Sequence, residues 1–337
     1  MRLRITLAAA FSLIAVGQAK AQLTSCPPGT TNGLGIPDRQ RATQDACQMA
    51  VDVFQFVAPQ LGIALVGGNA TLGQGGALGG IGHFAVGLRA NVLSGDLPDV
   101  QNFPQPATSG RQSRQLPTQK QFVGLPTVDA AIGLFKGLPL GLTNVGGIDL
   151  LLSASYIPTY GSAGDAVQVK PDQNLQIGFG ARVGIIQESL LLPGVAVTYL
   201  RRDLPTTTIT GSSSGVDVSI QDASVKTNAW RLTASKSLIL FSLAAGIGQD
   251  HYDQSATAQG TVRTSPIGQQ TSDPIRLSQS LTRTNYFLDA SLNVLLAKLS
   301  AEIGQVSGGT VDTYNPFSGG RADKSRLYGS VGLRIGF

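Results

Sequence analysis

Ten stretches between His83 and the C-terminus place an apolar side chain at every second position, and the charges among them gather on the opposite face. No other feature constrains the fold as strongly. Successive side chains of a strand point to opposite sides, so a period of two reads as a strand with two unlike faces. In the clearest stretch, Leu175, Ile177, Phe179, Ala181, Val183 and Ile185 alternate with Gln176, Gly178, Gly180, Arg182 and Gly184. Arg89, Asp129, Asp149, Arg182, Arg231, Asp289, Lys298, Glu302, Arg326 and Arg334 all take the non-apolar side, and Arg201, near the end of its stretch, is the exception. An Arg or Lys facing the middle of a bilayer costs about 2–4 kcal/mol, so this sorting is what a lipid-facing wall requires. A soluble sandwich alternates equally well but turns its charged face to water.

Loop lengths separate the two. Short links (ESLLLP, Lys236–Ser237, Leu295–Leu296) alternate with long ones, which run from Asp203 to about Lys226, from about Asp250 to Thr284, and from Ser307 to Lys324. Short turns on one rim, long loops on the other and an even strand count are the habit of bacterial outer-membrane barrels. The expected fold is therefore all-β: an antiparallel transmembrane β-barrel of about ten strands (range 10–14) over residues 81–337. Thr206–Ile209 and Val216–Ile220 are candidates for an added hairpin. Phe84, Tyr156, Tyr199, Tyr286 and Phe337 fall at strand ends, where interfacial aromatics belong.

The N-terminus supplies the compartment. Residues 1–21 carry Arg2 and Arg4, an apolar run from Ile5 to Val16, and Ala19 and Ala21 before a cut at Gln22, which is a secretory signal peptide. Its removal takes Arg2, Arg4 and Lys20 and lowers the net charge from +5 to about +2, so the basic precursor says nothing of nucleic acid. Charged residues are 13% of the chain, against about 25% in ordinary soluble proteins, and glycine numbers 42. The longest uncharged stretch, Val53 to Leu88, is broken by Pro59 and by glycines, so no spanning helix is expected there. Export, few charges and much glycine point to the outer membrane. Cys26 and Cys47 would then meet an oxidising compartment and pair as a disulfide.

Asp38 to Val57 reads as a helix ended by Pro59, with Met49, Val53 and Phe56 on an apolar stripe. Two placements are open for the segment 22–80: a helix packed beneath the rim in the periplasm, or a plug inside the barrel. The flexible stretch LGIALVGGNATLGQGGALGGIG and the inward glycines Gly184, Gly246, Gly248 and Gly332 favour the plug, since they leave room for a threaded chain. The ten inward charges, six positive and four negative, are expected to pair across the lumen rather than form a filter of one sign.

The final residues, SRLYGSVGLRIGF, resemble the C-terminal signature of bacterial outer-membrane proteins, with Phe337 terminal, Leu333 and Ile335 on its face and Tyr328 upstream. The resemblance implies recognition by the barrel assembly machinery. A disulfide-bearing N-terminal helix, a glycine-rich hinge and a glycine-rich barrel are together similar to the outer-membrane transporters of fatty acids and hydrocarbons. Those have fourteen strands and a plugging hatch, and no ligand motif carries over residue by residue. The resemblance implies passive uptake of small hydrophobic compounds, with outer-membrane lipid and a hydrophobic small molecule as partners. The alternative is a structural or adhesive surface barrel.

No cofactor is expected. The ten-stranded omptin proteases place aspartates and a histidine at the extracellular rim, and His251 with Asp253 falls at a matching height, while Asp250 takes the other face. No serine triad, phosphate loop or metal cluster accompanies them, His83 is undistinguished, and the chain is not read as an enzyme.

Overall fold

The computed structural model describes residues 25–27, 37–69, 72–162, 164–213, 215–264 and 268–336. The expected signal peptide, residues 1–21, and Phe337 lie outside these. Ten long strands form the wall: β1 (Phe84–Pro98), β2 (Thr118–Phe135), β3 (Gly147–Tyr156), β4 (Leu175–Ile186), β5 (Gly194–Asp203), β6 (Val216–Leu238), β7 (Phe241–Thr264), β8 (Ile275–Val294), β9 (Ala297–Ser307) and β10 (Arg326–Gly336). Each pairs antiparallel with the next. The sheet then closes on itself, β10 pairing with β1 from Ala85↔Gly336 to Leu93↔Tyr328. In the lower, lipid-facing part the described strands are paired on both sides, the condition for spanning a bilayer with strands.

The alternation decides which side of the ladder faces out. Leu88, Leu150, Ile177, Phe179, Leu243, Leu288, Ile303 and Val331 are exposed on the outer surface. On β8, the eight steps from Val294 to Tyr286 span about 27 Å of strand, or about 20 Å of height at the usual tilt, close to the apolar band of such barrels. Phe84, Phe135 and Phe241 mark its lower edge, and Tyr199, Trp230 and Tyr286 its upper edge.

The wall is far taller on one side. β6 and β7 have 23 and 24 residues against 10 in β3 and β5, so at about 3.3 Å per residue they run some 80 Å against 33 Å. The stretches expected as long loops, Asp203 to Lys226 and Asp250 to Thr284, are for the most part continuations of β6, β7 and β8. Thr207–Ser213 adds to β6, Val167–Pro171 adds to that, and Gly268–Thr271 adds to β7. Together these make a crown standing over the long-loop rim. At the opposite rim the turns are two residues at Ile239–Leu240 and Leu295–Leu296, and 136–146 carries a small ribbon, Leu138–Leu140 with Thr143–Val145.

The helix, α1 (Pro37–Val66), lies inside the barrel. It does not stop at Pro59: the Gln60 side-chain amide donates to the Phe56 carbonyl at 3.1 Å within the turn that proline weakens, and packing on all sides holds the rest. It ends at Gly67 and Gly68, the latter at φ 76, a left-handed position that suits glycine. From Gln40 to Val66 it is long and apolar enough to cross a membrane, yet its surface is buried by the protein itself.

Candidate functional site

Its contacts with β1 fix the direction of α1. Gln60 exchanges hydrogen bonds with the backbone of Asp96, Asn91 Nδ2 donates to the carbonyls of Ala64 (2.6 Å) and Ile63 (3.3 Å), and Arg89 Nη1 donates to Gly67 O at 2.7 Å. Since β1 rises from the short-turn rim, α1 descends from the crown. Its upper end packs Ala42 and Ala46 on Val216 and Val262. Gly260 comes so close to Ala46 and Cys47 that a Cβ there would stand 2.3 Å from the Cys47 nitrogen. Ser25 and Pro27 flank the Cys26–Cys47 disulfide, so the chain enters the barrel from the crown side.

A descending helix presents its negative dipole end and its unpaired carbonyls to the middle of the lumen. The last turn of α1 contains no basic residue. The wall supplies the cations: Arg89 at Gly67, Arg231 Nη2 at Val66 O (2.6 Å), and Arg202 Nη1 at Leu65 O and Gly68 O (3.4 and 3.5 Å). Each is countered in turn. Asp129 takes Arg89 at 2.7 Å and Arg202 at 3.3 Å, while Arg231 lies 3.7 Å from Glu302 and 4.0 Å from Asp250. These arginines form a socket for the helix terminus, stabilised by buried carboxylates. Pairing across the lumen is thus present, but the charges hold the plug as much as one another.

Below the socket, the glycine-rich segment travels round the inside of the lower rim. Gly68 meets Arg89 and Ser330, Leu72 meets Gly332 and Ser300, and Gly73 N donates to Asp289 at 2.8 Å. Gly75 N donates to Ser235 Oγ at 2.7 Å, Leu78 N donates to Asp149 at 3.1 Å, and Gly80 abuts Gly133. The described residues of the segment touch almost a full circuit of the wall. The wall glycines make it possible: a Cβ on Gly184 would come within 3.0 Å of Ala77 and one on Gly332 within 2.9 Å of Leu72. Gly246 and Gly248 serve otherwise, lying under Phe287 and Arg231. Arg182 pairs with Asp149 at 2.7 Å, Lys298 donates to Gly73 O, and Arg334 donates to Gln74 at 2.7 Å.

Above the socket, an apolar cluster on α1 lies among buried polar groups that include Gln48, Gln55, Gln254 and Gln279. Met49, Val53 and Phe56 pack among Tyr252, Leu281, Val306 and Phe317, and the Phe56 and Phe317 rings stack at 4.0 Å. Two acids on the upper helix fold the loops inward. Asp45 accepts from Ala107 N, Gln112 N and Arg114 in the loop 99–117. Asp52 accepts from Tyr314 N, Asn315 N and Asn315 Nδ2 in the loop 308–325. Arg326 pairs with Asp96 at 2.9 Å, and Arg283 Nη2 donates to the carbonyls of Asp323 and Lys324. A void of about 20 Å³ beside Asn69, Leu72 and Arg89 holds at most one water. A hollow of about 600 Å³ bordered by Ala245, Leu288, Ala290 and Ala301 opens on the lipid side. Neither adjoins Phe56; among the described residues the ladder is continuous around the lower wall, while above it Thr118–Pro126 of β2 pairs with β1 alone and 275–283 of β8 with β7 alone.

Tyr328 points inward, its hydroxyl donating to Glu302 at 2.9 Å, whereas Leu333 and Ile335 face out. His251 is on the outer face of the crown, its Nε2 3.3 Å from both Asp253 Oδ1 and Ser280 Oγ and its Nδ1 2.9 Å from Thr282 Oγ1. Asp250 is buried inside, and His83 is exposed at the lower rim. Arg202, Asp250 and Arg283, unforeseen as site residues, continue the inward parity of β5, β7 and β8, and that parity was the signal that could have found them. Asp45 and Asp52 had no comparable signal.

No family model matches the chain, and no curated protein matches it. Solved structures that resemble it include the transport unit of the autotransporter AIDA-I from Escherichia coli (9% identity, 88% of this chain and 99% of that chain, TM-score 0.35). Others are the toluene transporter TodX of Pseudomonas putida (8% identity, 75% and 88%, TM-score 0.30) and a Pseudomonas aeruginosa FadL homologue (9% identity, 95% and 99%, TM-score 0.24). At such scores none carries an argument about this chain. The closed ladder, the apolar exterior and the ionic interior are those of an outer-membrane β-barrel, here with ten strands and one helix inside.

Proposed function

We propose that this chain resides in the bacterial outer membrane as a surface barrel sealed by its own N-terminal segment, and that its working part is the crown. One observation carries the reading: the lumen is occupied from end to end, by α1 above and by the circling segment below, and the ionic residues are engaged in holding both. The partners are membrane lipid around the wall and, through the C-terminal strand, the assembly machinery. No chemistry on a substrate is part of it. Purified protein in planar bilayers should show no steady conductance, and a lasting open current would overturn the reading.

A second reading, passive uptake of small hydrophobic compounds, draws on the apolar cluster around Met49, Val53 and Phe56 in the upper lumen. A hydrophobic solute passes there only once α1 yields. Liposome uptake of alkane-chain and hydrophilic solutes separates the two readings. Preferential entry of the former supports transport, and entry of neither supports the sealed barrel.

A further inference from the structure

The outer face of the crown is a polar sheet that begins where the lipid-facing wall ends. Tyr199, Trp230 and Tyr286 close the apolar band. Directly above them a row crosses four strands, Arg201, Asn228, His251 and Thr282 in register. The next row holds Asp203, Lys226, Asp253 and Ser280, with Asp203 turned to Arg201, and the one beyond it Ser224, Ser255 and Ser278. Arg276 follows, beside Thr257. Tyr199 ties belt to crown, its hydroxyl donating to Asn228 Oδ1 at 2.9 Å. Lys226 and Arg276 are exposed, and no salt bridge among the described residues engages either.

We infer that this face binds the phosphorylated saccharide headgroup of a glycolipid in the outer leaflet. The inference rests on the membrane placement proposed above and names the crown's partner. Three features select that ligand. The face continues the lipid-facing wall without a break in the ladder, so an amphiphile whose chains lie along Leu288 and Ile247 carries its headgroup onto it. Hydroxyl and amide side chains in regular cross-strand rows match a polyhydroxylated ligand, and the unpaired Lys226 and Arg276 match its phosphates. A protein partner would seek an apolar centre in its patch, and the rows above Trp230 present none. Arg201, the exception in the lipid-side charge pattern, thereby stands at headgroup height, held by Asp203 at 3.3 Å.

Trp230 is the chain's single tryptophan and is half exposed beside the first row, so its emission reports the site. Detergent-purified protein is titrated with phosphorylated lipopolysaccharide, the same lipopolysaccharide dephosphorylated, and phosphatidylglycerol. The phosphorylated glycolipid should give a saturable blue shift. Its midpoint should rise about tenfold or more in the Lys226→Ala/Arg276→Ala variant and stay near the original in Lys226→Arg, as expected when charge-assisted hydrogen bonds are lost or kept. Heat-modifiable gel migration checks that each variant is folded. An unchanged midpoint in the double variant, or an equal response to phosphatidylglycerol or to the dephosphorylated form, would overturn the inference. Bilayer conductance of the same sample tests the sealed-barrel reading separately, since an open current leaves the titration midpoint where it was.

Discussion

Strand β7 passes through two environments without changing its pairing or its parity. In its lower part the odd residues Phe241, Leu243 and Ile247 face outward and are apolar, while Ser242, Gly246 and Gly248 face the lumen. In the crown the odd residues His251, Asp253, Ser255 and Thr257 still face outward but are polar, and Tyr252, Ala256, Ala258 and Val262 pack inward, with Asp250 and Gln254 the polar exceptions on that side. Which face is apolar is therefore set by the solvent beyond it. Lipid outside and a polar lumen give one sense of amphipathicity, and water outside with an apolar helix inside gives the reverse.

The strongest test of the contrast lies in the lower lumen. Asp129→Ala leaves Arg89 and Arg202 buried without their shared counter-ion, which should cost about 3–5 kcal/mol and lower the unfolding midpoint in urea sharply. A direct comparison of the two outer faces comes next. Leu288→Arg, on the lipid side, should cost about 2–4 kcal/mol, whereas Ser255→Arg on the crown should stay within about 0.5 kcal/mol, both read by folding into liposomes. Equal costs would erase the distinction.

The crown has its own staple. The Cys26–Cys47 disulfide closes a separation of 21 residues, and its reduction should weaken the upper end of α1 by about 2–3 kcal/mol. Limited proteolysis should then cut near Cys47, while the wall keeps its heat-modifiable migration. The smallest effect concerns the loop 308–325. Burial opposes the charge of Asp323, but hydrogen bonds from Arg321 (2.8 and 2.9 Å) and from Val311 N overcome it and hold the carboxyl below its ordinary value. A depressed carboxyl contributes stability that is complete above its unfolded pKa and is lost as pH falls through the folded one. Arg321 is largely exposed, so the contribution is under about 1 kcal/mol. Protease cutting of this loop should rise below about pH 4, and less so in Arg321→Ala, where the pair is already absent.

The same inversion explains what the sequence disclosed and what it withheld. All ten wall strands were legible because a search for alternating apolar residues finds the lipid-facing side. It ended at Gly248 on β7 and began again at Asn285 on β8 because the apolar set changes sides between those points. Asp250 and Arg283 therefore read as loop residues although their parity already matched the lumen. The helix was legible to Val57 and misjudged beyond, since Pro59 signals an end in isolation, and a buried helix held by Gln60 and by wall arginines overrides it. The socket could not be read, because Arg89, Arg202 and Arg231 meet Val66 and its neighbours only once the barrel has closed.

Spin labels on the outer face of β7 test the inversion most directly. Leu243, Ala245, Ile247, His251, Asp253 and Ser255 are each replaced by a labelled cysteine in bilayer-reconstituted protein, and collision with oxygen and with a water-soluble nickel complex is measured. The account predicts oxygen-dominated collisions from 243 to 247, nickel-dominated collisions from 251 onward, and one crossover between them. A uniform profile along the strand, or a second oxygen-rich stretch in the crown, would contradict it.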